Sequence, residues 1–285
     1  MSYMKPNNLA TKIFLDSGDP IETKKTLEIL DFLDGQTTNP SLIAKNPQTA
    51  GKKFSKEEIY EFYKKVVKEI ALMIQQGSVS VEVYADKNTK AESMIVQGKE
   101  MFSWIPNAHI KLPTNTEGLK AAESLVQDGL RVNMTLVFSQ EQAAAVHAAT
   151  KGANKGDVFV SPFVGRLDDR GENGMDLIKN IIEMYKKADS HVEVLAASVR
   201  SLDHFMYSLQ LGSDIITAPL KVYQEWNEKG IKIPDANYQY LFKNLIPMPY
   251  HELDLSKSWQ EFNINHGLTD AGIEHFAKDW NNLIR

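Results

Sequence analysis

Eight short runs with β-strand character recur along the chain, and a stretch with helical spacing separates each from the next. No other feature restricts the fold so strongly. The runs are Lys12–Ser17, Gly35–Asn39, Ser78–Ala85, His109–Pro113, Arg131–Phe138, Val158–Val164, His191–Val199 and Ile215–Pro219. Between them apolar residues return at three- and four-residue steps. The clearest case is Lys56–Gln76, where Ile59, Phe62, Val66, Ile70 and Met73 share a face. The same spacing predicts helices over Pro20–Phe32, Lys90–Met101, Thr116–Gln127, Ser139–Thr150, Asn173–Lys187 and Leu202–Leu211. Ser55, and Ser139 with Gln142 three residues on, are helix-start signals. Strict strand–helix alternation implies crossover connections and a parallel sheet. Eight units in about 220 residues suit an α/β fold of the (β/α)8 TIM-barrel type, whose usual length is about 250. An open doubly wound sheet is the competing arrangement.

The eight units account for residues 1–230 as the barrel domain and leave 231–285 as a C-terminal helical extension. In it Ile233-Pro234-Asp235 reads as a break and Ile246-Pro247-Met248-Pro249 as an extended link. Leu268–Ile284 reads as a terminal amphipathic helix, with Thr269 as its cap and a stripe of Ile273, Phe276, Trp280 and Leu283. That stripe is expected to pack on the barrel or on a neighbouring subunit, and a homo-oligomer is expected.

The two-residue period of a strand then sorts side chains between faces. Val79, Val81 and Val83 oppose Ser78, Ser80, Glu82 and Tyr84; Val132, Met134, Leu136 and Phe138 oppose Asn133 and Thr135. Phe14 lies with Asp16, Phe159 with Ser161 and Phe163, and Val194 with Ala196, Ser198 and Arg200. If the uniformly apolar faces pack on helices, the interior carries Asp16, Asn39, Glu82, Lys111, Asn133, Thr135, Ser161 and Ser198. Most lie in the C-terminal halves of their strands, where barrel active sites are built. Buried polar groups need partners, so an interior this polar is hard to explain on structural grounds alone.

Lys111, between Ile110 and Leu112, is the centre of this set. A buried ammonium is costly to keep charged, and the amine form is a nucleophile toward a ketone. Two nearby carboxyls, Asp16 and Glu82, could divide the proton transfers that iminium formation needs. Arg166, Ser198 and Arg200 follow the sixth and seventh runs, where barrels often hold phosphate. Guanidiniums with a hydroxyl suit a phosphate ester. The plainer alternative is surface arginines paired with Asp168, Asp169 or Asp203. His109 shares the parity of Lys111 and reads as a packed core histidine.

Composition narrows the rest. A net charge of −5 gives no electrostatic footprint for nucleic acid or an anionic membrane. The absence of cysteine excludes disulfides, thiolate nucleophiles and thiolate metal sites. The stretch from Met1 to Asn8 has no apolar core of a signal peptide, and no run approaches a membrane span. A cytoplasmic protein is expected. The seven histidines do not fall at metal-ligand spacing, and no dinucleotide or nucleotide glycine motif is present.

Several separate stretches together resemble the transaldolase family. They are Asp34-Gly35-Gln36-Thr37-Thr38-Asn39-Pro40-Ser41-Leu42-Ile43, Ile110-Lys111-Leu112-Pro113, Val132-Asn133-Met134-Thr135-Leu136, Val160-Ser161-Pro162-Phe163-Val164-Gly165-Arg166-Leu167-Asp168 and Ala197-Ser198-Val199-Arg200. The resemblance implies a Schiff-base enzyme that moves a dihydroxyacetone unit between small-molecule sugar phosphates without metal or organic cofactor. By matching position, Lys111 would form the Schiff base and Asp16 would handle the substrate hydroxyl proton. Glu82 and Thr135 would hold the catalytic water, and Asn39 and Asn133 the three-carbon unit. Arg166, Ser198 and Arg200 would grip phosphate, with Ser161 close to the substrate. The family also includes fructose 6-phosphate aldolases, which resemble a pattern with Gln at Glu82 and Tyr at Phe163. Glu82 and Phe163 therefore point to transfer. A sugar-phosphate-binding barrel without activity is the non-enzyme alternative, although binding alone needs no buried amine.

Overall fold

Strand–helix alternation resolves into a closed barrel of parallel strands in sequential order. The computed structural model describes residues 5–235, 237–242 and 244–285; the first four residues of the N-terminal stretch read above lie outside these. The strands are β1 (Lys12–Asp16), β2 (Gly35–Thr37), β3 (Ser78–Glu82), β4 (Ala108–Pro113), β5 (Val132–Val137), β6 (Val158–Pro162), β7 (Glu193–Ala196) and β8 (Ile215–Ala218), with β8 pairing back to β1. Closure satisfies every strand edge and excludes the open sheet.

Around the barrel run α1 (Pro20–Leu30), α2 (Pro40–Ala44), α3 (Lys56–Met73), α4 (Ala91–Phe102), α5 (Thr116–Gln127) and α6 (Gln140–Ala149). They are followed by α7 (Val164–Asp169), α8 (Gly174–Lys187), α9 (Leu202–Leu211), α10 (Leu220–Glu228) and α11 (Gly267–Asn281). Local chemistry sets their starts. Asp19, Asn39, Asn115, Ser139 and Ser201 each accept a hydrogen bond from a backbone N–H of the first turn. Ser55 and Glu58 form a reciprocal capping box for α3. That helix buries Ile59, Tyr63, Val66, Val67 and Ile70, each aliphatic side chain contributing roughly 1.5–3 kcal/mol against exposure. The buried face includes Tyr63 where the spacing pointed to Phe62, which instead stacks on Phe54.

Val164, read as the end of a strand, begins the short helix α7, and α10, which the spacing does not mark, follows the last strand. Thr269 is not the cap of α11. His266 is, through its ring nitrogen and the Leu268 N–H. Thr269 is buried and donates to the Leu136 carbonyl at 2.9 Å while accepting from the Gln142 amide at 2.8 Å. These bonds fasten the start of α11 to the end of β5. The stripe Ile273, Phe276, Trp280 and Leu283 is buried on the chain itself, with α11 seated across the barrel mouth against α2 and β5.

Parity holds on most strands and fails on two, for a backbone reason. Leu136 and Ser198 both have positive φ, 59° and 55°. A left-handed residue breaks the alternation of side chains. On β5 this accompanies a register shift between Met134 and Val137, and Leu136 turns toward Gly272 of α11. Past β7, Ala197 and Ser198 both face the mouth, together with Leu195 below them. Val194, Ala196 and Arg200 therefore do not share the inner face with Ser198, as alternation had suggested.

The barrel floor also holds polar groups. Lys12 Nζ reaches both carboxylate oxygens of the buried Glu193, at 2.8 and 3.1 Å. His109 stacks on Phe159 with ring centroids 4.0 Å apart. Its packed-core reading holds.

Candidate active site

Lys111 stands level with Glu82 on β3 and Asn133 on β5. It is 3% exposed. Its Nζ lies 3.1 Å from Glu82 Oε2 and donates to the Thr38 carbonyl at 3.3 Å. The approach to Oε2 is off the hydrogen-bonding direction, and this oxygen has no hydrogen-bond partner among the described residues. The two groups form a buried ion pair. Burial pushes the Glu82 carboxyl above its ordinary pKa, opposed chiefly by Lys111 and more weakly by Arg166. The Thr135 hydroxyl, on β5 beside Pro113, is likewise buried without a partner.

Asp16 ends β1. Burial raises its carboxyl too, against the pull of Lys111, the Thr37 hydroxyl and Lys45. Thr37 donates to Asp16 Oδ1 at 2.7 Å. With that proton committed, the Thr217 hydroxyl must donate to Thr37, 2.7 Å away.

A cavity of about 220 Å³ opens at the C-terminal ends of the strands, lined in part by Asp16, Asn39, Lys111, Ser161, Phe163, Arg166 and Ser198. Seven side chains expected from sequence thus converge on one space. Asn39 caps α2 through its carbonyl oxygen, at 2.8 Å from Leu42 N, which leaves its amide hydrogens available to the cavity. Asn133 sits outside the lining: it accepts from Ser161 Oγ at 2.6 Å and donates to Ser80 Oγ at 3.0 Å. Glu82 and Thr135 also sit outside the lining.

The anion side is less complete than expected. Arg166 is mostly buried, with Phe163 and Phe276 rings at 5.4 and 5.3 Å from its guanidinium carbon. Burial holds its pKa below the usual value, and the charge of Arg200 acts in the same direction. Two repelling guanidiniums are stabilised by an anion between them. Arg200, however, is not brought to the cavity: it is exposed and ion-paired with Asp169. Its side chain crosses over Gly165, where a Cβ would collide with it.

Other contributors escaped the sequence reading. Ser41, Lys45, Thr37, Thr217 and, from α11, His275 also line the cavity. Tyr63 lies behind it. Its hydroxyl accepts from Glu82 N at 2.9 Å and lies 2.6 Å from Thr38 Oγ1. Thr38 gives its proton to the Ser80 carbonyl at 2.7 Å, so Tyr63 must donate to Thr38. The expected stripe ran through Phe62 instead, and the sequence signal for Tyr63 is its place four residues after Ile59 on α3.

The pattern of the family described as Transaldolase/Fructose-6-phosphate aldolase matches residues 13–285. The chain belongs to that family. A relative named "Probable transaldolase" from Dehalococcoides mccartyi is 35% identical over 272 residues, covering 95% of this chain and 99% of the relative. Another of that name, from Halalkalibacterium halodurans, is 36% identical over 271 residues, covering 95% and 99%. A third, from Herpetosiphon aurantiacus, is 36% identical and covers 94% of each. The family match runs through α11, so the extension lies within the region shared with the family.

Proposed function

We propose that the protein is a transaldolase, moving a dihydroxyacetone unit from a ketose phosphate such as sedoheptulose 7-phosphate or fructose 6-phosphate to an aldose phosphate. The observation that carries this reading is Lys111, an amine sealed in a barrel strand beside Glu82 and opening on a cavity that also holds Asp16 and Arg166.

The unprotonated Lys111 amine attacks the ketone carbon. Transfer of its ammonium proton to Glu82 removes two buried charges at once, which low dielectric favours. The carbinolamine loses its hydroxyl as water to give the iminium, with proton delivery from Glu82. The Thr135 hydroxyl, which lacks a hydrogen-bond partner among the described residues, and Glu82 Oε2, which has only its ion pair with Lys111, suit a shared water. Asp16 takes the proton from the C4 hydroxyl as the C3–C4 bond breaks; the electron pair passes into the iminium to form an enamine, and the aldehyde leaves. The enamine attacks the acceptor aldehyde, Asp16 returns the proton, and hydrolysis frees Lys111. Asn39 and Asn133 hold the three-carbon hydroxyls. Arg166 and Ser198 bind the phosphate, with Arg200 joining by exchanging Asp169 for it. Phe163 offers no hydroxyl to protonate the enamine, which favours transfer over release of dihydroxyacetone.

Borohydride reduction in the presence of fructose 6-phosphate tests the reaction class. An adduct on Lys111, absent from Lys111→Met, is expected; an adduct elsewhere, or none, would overturn it. With erythrose 4-phosphate added, sedoheptulose 7-phosphate should exceed free dihydroxyacetone. The reverse balance would assign the chain to the fructose 6-phosphate aldolases instead.

A further inference from the structure

The extension does more than close the barrel mouth. Arg166 leaves the start of α7 and reaches the cavity flanked by two aromatic rings, Phe163 from the β6 end and Phe276 from α11. A guanidinium against an aromatic face gains roughly 0.5–2 kcal/mol, more as water is removed. Phe276 is itself 6% exposed and lines the cavity. One turn earlier on the same helix, Gly272 lets the backbone come close: a Cβ there would stand 2.6 Å from a Leu136 methyl and 2.8 Å from Arg166 Nη1. Leu136 is the left-handed residue of β5 whose carbonyl receives the Thr269 hydroxyl. The register of α11 is thus fixed at one point by β5 and meets Arg166 at two others.

We infer that α11 is a phosphate-recognition element, in which Phe276 and Gly272 are positioning residues that hold the Arg166 guanidinium toward the phosphate end of the substrate. This rests on the reading of Arg166 as the phosphate-binding group. Arg166 carries a long, flexible side chain, and Arg200 repels it. Without the Phe276 ring, Arg166 would be free to turn toward solvent or toward Asp169 and Asp279, which attract it as Glu82 does more strongly from within the barrel. The ordering of Arg166 would then have to accompany phosphate binding and weaken it.

Linkage supplies a test on the unaltered protein. If α11 orients Arg166 for an anion, the anion must in turn stabilise the docking of α11. Saturating inorganic phosphate should slow amide hydrogen exchange across 272–280 in the wild-type chain, and unchanged exchange there would overturn the inference. Variants give the second arm. Phe276→Met keeps an apolar chain without a π face, and Phe276→Tyr keeps the ring. For Phe276→Met, the inhibition constant of inorganic phosphate should rise about tenfold, equivalent to about 1.4 kcal/mol. The preference for fructose 6-phosphate over unphosphorylated fructose should fall in proportion, and Phe276→Tyr should restore both. Arg166→Gln separates the failures. If it leaves phosphate inhibition unchanged, the assignment of Arg166 falls. If it abolishes inhibition while Phe276→Met behaves as wild type, only the role of α11 falls.

Discussion

Tyr63 reaches the lysine without touching the cavity. Its hydroxyl ties the Glu82 backbone to Thr38, whose carbonyl receives Lys111 Nζ. Tyr63→Phe should leave the Glu82 N–H without its partner and cost about 1–3 kcal/mol. Urea denaturation would measure that loss, and the rate of borohydride trapping on Lys111 should fall with it. An unchanged rate would confine Tyr63 to packing. Asp16 carries a prediction of opposite character. Burial raises its carboxyl, yet the proposed step needs it ionised, so activity should fall as pH drops through a range above that of an ordinary aspartate. Asp16→Asn should lose about 10²–10⁴-fold in kcat and the acidic limb with it. A limb that persists in the variant would belong to Glu82 or another group. Asp16 and Lys111 were legible because strand period alone places them. Tyr63 was not, since its partners are known only once a helix is laid over two strand ends.

Among elements, β4 is the strand whose placement matters most, because it carries Lys111. Its end is pressed by α5: a Cβ on Gly118 would overlap the Pro113 carbonyl oxygen. Gly118→Ala should cost about 2–4 kcal/mol by forcing helix and strand apart. Activity should fall beyond what loss of folded protein explains, as kcat per folded molecule would show. The barrel itself could be read from alternation, and every expected strand formed, although β3 and β7 are shorter than expected, Ser78–Glu82 and Glu193–Ala196. Where the reading slipped, at Leu136 and Ser198, a single left-handed residue reset the parity. Neither is a glycine or an asparagine, so residue type gave no warning. Arg200 follows the plainer of its two readings, a surface arginine paired with Asp169, 31 positions away in sequence.

For the whole molecule, the barrel floor sets a limit on acid stability. The Gly156 carbonyl can only accept, so His109 Nε2 carries the hydrogen and Nδ1 accepts from Ser78 Oγ. The neutral ring is satisfied, and burial depresses its pKa to about 3. Stability from this site is complete above the unfolded value of about 6.5 and is lost as pH falls toward 3, by up to about 1.4 kcal/mol per pH unit. His191, held down to about 4 by burial and by His147, adds to the same trend. His109→Phe should be less stable than wild type at pH 7, having orphaned Ser78 and Gly156, and the gap in urea midpoint should narrow between pH 6.5 and 4. A gap independent of pH would show that His109 does not titrate on unfolding. The position of α11 in the chain has a consequence in time. It leaves the ribosome after all eight strands, on the order of several seconds later at ~5–20 residues per second. A barrel that closed within that interval would present Lys111 and Glu82 under an open mouth, accessible to reactive sugars until α11 docks.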